Sequence, residues 1–195
     1  MTEFTFADTV VPIGATDDDT HEVFNTPPVL AGYNAFDADP ALGEALHREG
    51  AGWAEERARD LGALVGDPSI QTKARLANRN LPEFRGYDSY GQRVNVVEYH
   101  PAYHDLMGEA MKAEVHSMAW TASEPGGHVA RAALSYLWNQ IENGVGCPTG
   151  MAYAAVPILK SQAETRPWAE KMLGTTYDPR LVPIEDKTAI TVATT

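Results

Sequence analysis

Two histidines stand four residues apart in HPAYHD, His100 and His104, a spacing that would put two imidazoles on one helix face as a pair of metal ligands. No glutamate follows His100 as the H-E-x-x-H arrangement requires. His100 also precedes Pro101, where a helix cap is expected, so capping and core hydrogen bonding are the expected duties of this pair. His116 and His128 could join them only through folding. TASEPGGH, residues 121–128, offers a threonine, a glutamate and two glycines but neither dinucleotide-loop nor P-loop spacing, and reads as a polar turn between helices. The single cysteine, Cys147, has no lysine or arginine nearby in sequence to favour its thiolate, and is expected to be an inert, buried thiol. No Ser-His-Asp order, paired catalytic carboxylates or Gly-rich loop is present. By motif alone the chain carries no catalytic centre, no cofactor signature and no metal site.

The segment with most to say is chemically mute. CPTGMAYAAVPIL, residues 147–159, has no charge at all. Apolar on every side, it reads as a core helix touched by neighbours on each face. Its side-chain sizes support another reading. Gly150, Ala152, Ala154 and Ala155 leave backbone accessible, while Thr149, Met151 and Tyr153 add a hydroxyl, a pliable thioether and an amphipathic ring. Small residues beside adaptable ones suit a groove for a flat ring or an acyl chain. Spacing alone leaves both readings open.

The elements that position this segment are helical. Prolines at 40, 68, 101, 125 and 148 each follow an Asp, Glu, His or Cys just ahead of a helical pattern, the arrangement expected at a first helical turn. Leu42, Leu46, Trp53, Leu61 and Leu64 predict one helix from Pro40 to Gly66. A shorter helix is expected over 68–79. Met107, Met111, Val115 and Met118 continue a stripe from Pro101, and Ala130, Leu134, Leu137, Trp138 and Ile141 form another that Gly144 stops. Only GQRVNVVEY (91–99) and TAITVATT (188–195) look strand-like; the first reads as a small hairpin or an extended arm. Residues 21–39, rich in Pro, Gly and Asn, read as an extended lead-in over the helices. Residues 1–20 read as a flexible acidic arm.

Composition sets the bounds. The 195 residues are 44% hydrophobic and 22% charged, enough for a globular core. Acidic residues outnumber basic ones 27 to 15, for a net charge of −12. That field disfavours non-specific nucleic-acid binding by this chain. No window approaches the ~18–20 apolar residues that span a bilayer, and the amino terminus lacks a signal-peptide pattern. One cysteine fits a reduced compartment, and a cytoplasmic location is expected.

Seven collinear segments carry a resemblance: THEVFNTPP (20–28), LHREGAGW (46–53), ARLANRNLPEFRGYD (74–88), EYHPAYHDLM (98–107), HSMAW (116–120), HVARAA (128–133) and CPTGMAYAAVPIL (147–159). They resemble the amino-terminal portion of the acyl-CoA dehydrogenase superfamily in its AidB, or alkylation-response, branch. The resemblance implies a mostly α fold: an amino-terminal helical bundle over 21–180, with 181–195 as lead-in and first strand of a truncated middle β-barrel. It also implies FAD in a cleft of a homotetramer. The family's Thr-Glu…Gly-Gly-Ser-Asp flavin signature follows the strand that TAITVATT resembles, and the catalytic glutamate belongs to the carboxy-terminal half. No catalytic or cofactor-binding residue of the family therefore carries over. The implied activity is α,β-dehydrogenation of acyl-CoA thioesters. The alternative is a flavoprotein acting mainly in DNA protection, with vestigial dehydrogenase activity and duplex DNA bound by the carboxy-terminal region. A free-standing helical interaction domain is the third reading. The resemblance places the 147–159 helix at the flavin and acyl cleft, with Thr149, Met151 and Tyr153 as candidate liners.

Overall fold

The computed structural model describes Asn25, Pro27 and residues 29–192; the expected acidic arm and residues 193–195 lie outside them. The elements are α1 (Pro40–Arg48), α2 (Glu55–Val65), α3 (Pro68–Arg79), β1 (Glu83–Tyr87), β2 (Arg93–Glu98), α4 (Pro101–Lys112), α5 (Met118–Thr121), α6 (Gly127–Trp138), α7 (Gly146–Lys160) and α8 (Arg166–Met172). The fold is mostly α, as expected. Three of the proline starts are capped in the expected way. Asp39 accepts from the Leu42 amide, Asp67 from Ser69 and His100 Nδ1 from Ala102, at 3.2, 2.7 and 3.1 Å. Each satisfies an amide that the helix leaves without a partner.

Two expected long helices are broken, each by the same device. The stripe from Pro40 to Gly66 stops at Arg48, where Gly50 turns left-handed with φ 80°. Its amide donates to His47 O and the Ala51 amide to Leu46 O, at 3.2 and 2.8 Å, closing the helix with its own carbonyls. The stripe from Pro101 to Met118 breaks likewise at Glu114, with φ 58°; the Glu114 and Val115 amides return to Met111 O and Ala110 O. Here no glycine signals the turn. Glu114 is held instead by an ion pair with Arg57 and by the Thr121 hydroxyl, which donates to it at 3.2 Å. The helical repeat passes over both breaks because Leu61 after the first, and Val115 and Met118 after the second, re-enter the same core.

β1 and β2 pair antiparallel, with Phe84 opposite Val97 and a register shift between Arg85 and Tyr87. The hairpin reading of 91–99 holds for its second strand; the first, EFRGY, goes unsignalled because it lacks β-branched residues. Residues 29–39 of the lead-in lie over α2, with a turn at 35–38. Gly32 and Ala35 amides donate to Gly66 O and Gly62 O, at 2.8 and 2.9 Å. A Cβ on Gly66 would sit 1.6 Å from Tyr33 O, so this approach requires glycine. The principal core gathers Leu46, Leu106, Met107, Leu134, Leu137 and Trp138 among α1, α4 and α6. A second, smaller cluster joins Ala152, Ala155 and Val156 of α7 to Met172 of α8 and to Ile190. Residues 188–192 form neither helix nor strand.

The Glu114 turn predicts an inverted order of substitution. Glu114→Ala loses the Arg57 pair and keeps the left-handed backbone cost; Glu114→Gly loses the pair and removes that cost. The glycine variant is therefore expected to be the more stable, by roughly 1 kcal/mol, in urea unfolding. Alanine equal to or above glycine would refute the assignment.

Candidate functional site

The site is built around α7, whose burial departs from the expectation of a helix covered on every side. Thr149, Ala152, Ala155 and Val156 are buried, whereas Cys147, Ala154, Pro157 and Ile158 are exposed. At 100° per residue these sets fall on roughly opposite faces. The thiol of Cys147 is thus exposed, not buried, because position 147 points away from the core. An apolar groove of about 520 Å³ follows the exposed face, lined by Gly150, Met151, Ala154, Ile158, Leu159 and Val192, with Cys147 at one end. A neighbouring cleft of about 590 Å³ shares Cys147, Met151 and Val192 and continues past Glu142 and Tyr103.

The three candidate liners do not converge. Met151 borders both hollows. Thr149 is 1% exposed, and its hydroxyl donates backwards to Val145 O and Gly146 O at 2.9 and 3.1 Å, so it does not reach the groove. Tyr153 lies on the flank. Its ring stacks on Trp120 with centroids 5.3 Å apart, the Arg131 guanidinium sits 4.2 Å from the ring centre, and its hydroxyl is 2.9 Å from His128 Nδ1.

One bond fixes α7 against this flank. Pro157 lies inside the helix and has no N–H, which leaves the carbonyl four residues earlier, on Tyr153, without its helical partner. The indole N–H of Trp120 donates to that carbonyl at 2.9 Å. HSMAW thus supplies from α5 the donor that CPTGMAYAAVPIL lacks. The helix can keep its proline and run on to Lys160.

Glycine is used differently at Gly150. A Cβ there would meet no atom within 4 Å. Packing does not require glycine, and a glycine inside a helix costs about 0.5–1 kcal/mol relative to alanine. What it provides is bare backbone on the groove floor.

The far wall is held by two hydrogen-bonded carboxyl groups. Asp178, 6% exposed, receives the Arg180 fork at 2.8 and 2.6 Å and the Thr188 amide at 2.9 Å. Arg180 first, then Thr188, hold this carboxyl well below the usual carboxylate range. The anchor fixes residue 188 and so guides 189–192 past the groove. Glu142, 3% exposed, accepts from Asn78 at 2.7 Å and from the Gly144 amide at 2.5 Å, which immobilises it at the cleft wall. Burial raises the Tyr103 phenol to about 12, with Tyr99, stacked at 4.3 Å, adding to the effect. The two histidines of HPAYHD serve separately: His100 caps α4, and His104 Nδ1 lies 2.9 Å from the Tyr177 hydroxyl. Among the described residues no group of three or more His, Cys, Asp or Glu is placed to hold a metal ion, and no helix is long and apolar enough to cross a membrane.

This helical arrangement matches known proteins. The family described as the adaptive response protein AidB N-terminal domain covers residues 25–179. The Escherichia coli (strain K12) protein named "Putative acyl-CoA dehydrogenase AidB" is 40% identical over 167 residues, covering 84% of this chain and 31% of its own length. Solved structures share the fold at lower identity. Caenorhabditis elegans ACDH-11 in complex with C11-CoA has a TM-score of 0.66 at 19% identity, over 81% of this chain and 29% of that one. The apo form of Bd2924 has 0.67 at 20%, over 75% and 30%. The chain belongs to the adaptive response protein AidB N-terminal domain family. It spans about a third of the length of the relatives it matches.

Two outcomes follow from these bonds. Trp120→Phe strands the Tyr153 carbonyl and is expected to cost about 1–3 kcal/mol. In a Pro157→Ala background, where residue 157 regains an amide, that loss should shrink by about half or more in a double-mutant cycle. Equal losses in both backgrounds would refute the pairing. Second, His116 is buried, its Nε2–H donates to Gly174 O at 3.1 Å, and burial lowers its pKa to about 4. Its depressed value means the unfolded chain binds the extra proton first. Stability is therefore full above pH 6.5 and falls as pH drops toward 4, by on the order of 3 kcal/mol. His116→Gln should flatten that slope; an unchanged slope would assign it elsewhere.

Proposed function

We propose that this chain is the amino-terminal helical domain of an FAD-dependent acyl-CoA dehydrogenase-like oxidoreductase, and that the exposed face of α7 forms a wall for the acyl chain. The observation that carries this reading is an apolar groove floored by Gly150, a glycine the fold itself does not need. Its liners suit a hydrocarbon chain or the flat face of a ring, and none of them other than Cys147 is ionisable. They present no charged donor for a flavin's diphosphate, so the groove fits an acyl chain or a ring edge and not the whole cofactor. Bound FAD would supply the electron acceptor for α,β-dehydrogenation of an acyl thioester. The residues of this chain would bind and orient the acyl group and exclude water from it. A base for the α-proton is not assigned to any of them: Glu142, the buried carboxylate near the groove, is already held by Asn78 and Gly144.

The domain limits, 21–180 helical and 181–195 leading into a β-domain, belong to the same proposal, as does assembly into a homotetramer. A second reading is favoured by the family's own description as an adaptive response protein. In it the full protein protects DNA and its dehydrogenase activity is vestigial. The net charge of −12 argues that duplex binding would then fall outside this domain.

Gly150 provides the test. In the isolated chain Gly150→Ala should raise stability by about 0.5–1 kcal/mol. In the longer protein Gly150→Leu should raise KM for long-chain acyl-CoA at least tenfold and leave short-chain substrates within twofold. An unchanged chain-length profile would remove the groove from the acyl site. Absence of turnover with any acyl-CoA, alongside salt-sensitive duplex binding by the whole protein, would favour the second reading.

A further inference from the structure

The segment ARLANRNLPEF carries two arginines for which the acyl groove has no use. Arg75 and Arg79 stand one turn apart on α3 and line the same hollow, of about 610 Å³. Its opposite wall comes from Tyr33 of the lead-in and from Gln140 and Ile141 after α6. Gln71 donates to Leu30 O at 3.0 Å and so pins the lead-in wall to the helix. The volume lies within the range of small-ligand sites, about 300–1,000 Å³.

Arg75 and Arg79 share the lack of a carboxylate partner with Arg93, Arg131, Lys160, Arg166, Lys171 and Lys187 among the described residues; what distinguishes them is that both line one hollow. Among the described residues, Arg48, Arg57, Arg59, Lys73, Arg85, Lys112 and Arg180 each lie against a carboxylate. Neither Arg75 nor Arg79 does; Arg75 reaches only the Thr72 hydroxyl, at 2.9 Å. No residue lining the hollow is acidic. Glu142 bonds Asn78 of the same helix but lines the neighbouring cleft. Like charges at i and i+4 repel, and in a chain of net charge −12 a carboxylate could have neutralised them at little cost. Two guanidinium forks with no carboxylate partner among the described residues, the amide of Gln140 and the half-buried ring of Tyr33 line one hollow; the Asn78 amide on the same wall is spent on Ala74 O and Glu142.

We propose that this hollow binds a small phosphorylated molecule, with one or two phosphates on Arg75 and Arg79 and a ring or short apolar group against Tyr33 and Ile141. Guanidinium forks match phosphate oxygens in pairs. The surrounding negative field admits a compact anion and disfavours a long polyanion, so a nucleic-acid backbone is not the ligand.

The test titrates the 195-residue chain with ADP, with pyrophosphate and with a 20-base-pair duplex, by calorimetry at 50 and 200 mM salt. ADP should bind, and Arg75→Gln with Arg79→Gln should weaken it at least tenfold. A charge-matched control, Arg48→Gln with Arg166→Gln, should stay within twofold of the parent, and Arg75→Lys with Arg79→Lys should fall between. Both arginines are exposed, so circular dichroism should show every variant folded; if the double variant is not, the single Arg79→Gln carries the comparison. Four results would overturn the proposal: no binding of ADP or pyrophosphate at millimolar concentration, equal weakening by the control, preference for the duplex with the same arginine dependence, or anion binding that appears only after residues 1–24 are removed. The last would make the chain's own acidic stretch the occupant.

Discussion

A proline inside a helix leaves one carbonyl without its donor, and here the indole of Trp120 supplies it. The arrangement of α7 depends on that substitution of partners. Because the Tyr153 carbonyl is satisfied from α5, α7 continues past Pro157 and presents an uninterrupted apolar face to the groove. The same contact sets the rotation of the helix. With Tyr153 held between Trp120, His128 and Arg131, positions 150, 154 and 158 must face outward and 149, 152 and 156 inward. Which side of this helix faces outward is thus set by one hydrogen bond and one stacked ring together with the packing of Ala152, Ala155 and Val156.

The separation of charge across the molecule follows the same economy. Polar anchors lie at the edges of the groove: the Arg180–Asp178 fork guides residues 189–192, and Glu142 ties α3 to the turn before α7. The groove itself is left to carbon. Two arginines on the far side of α3 stand apart from both arrangements, which is why a separate ligand is assigned to them.

The sequence made the helical class legible, together with the starts at Pro40, Pro68 and Pro101, because an acceptor followed by proline specifies a helix start within three residues. It did not reveal the breaks. Gly50 is a visible signal that the periodicity of Leu46 and Trp53 overrode, while Glu114 turns left-handed with no local mark and is stabilised by Arg57, distant in sequence. α8 went unassigned because it is short and owes its burial to α7. Of the three liners expected on α7, Met151 borders the groove, whereas Thr149 is buried against its own helix and Tyr153 packs on the flank against Trp120. A helix with no charge over residues 147–159 gives little from which to read its orientation, so the exposed face had to come from tertiary contacts. Gly150, a flexible residue where helix formation favours alanine, is the one sequence mark on that exposed face.

The exposed thiol of Cys147 has a practical corollary. It is the chain's single sulfhydryl, and it sits at the mouth of the apolar groove. An environment-sensitive dye attached there would report whatever enters, with no competing label elsewhere in these 195 residues. The domain comes with its own address for an optical reporter.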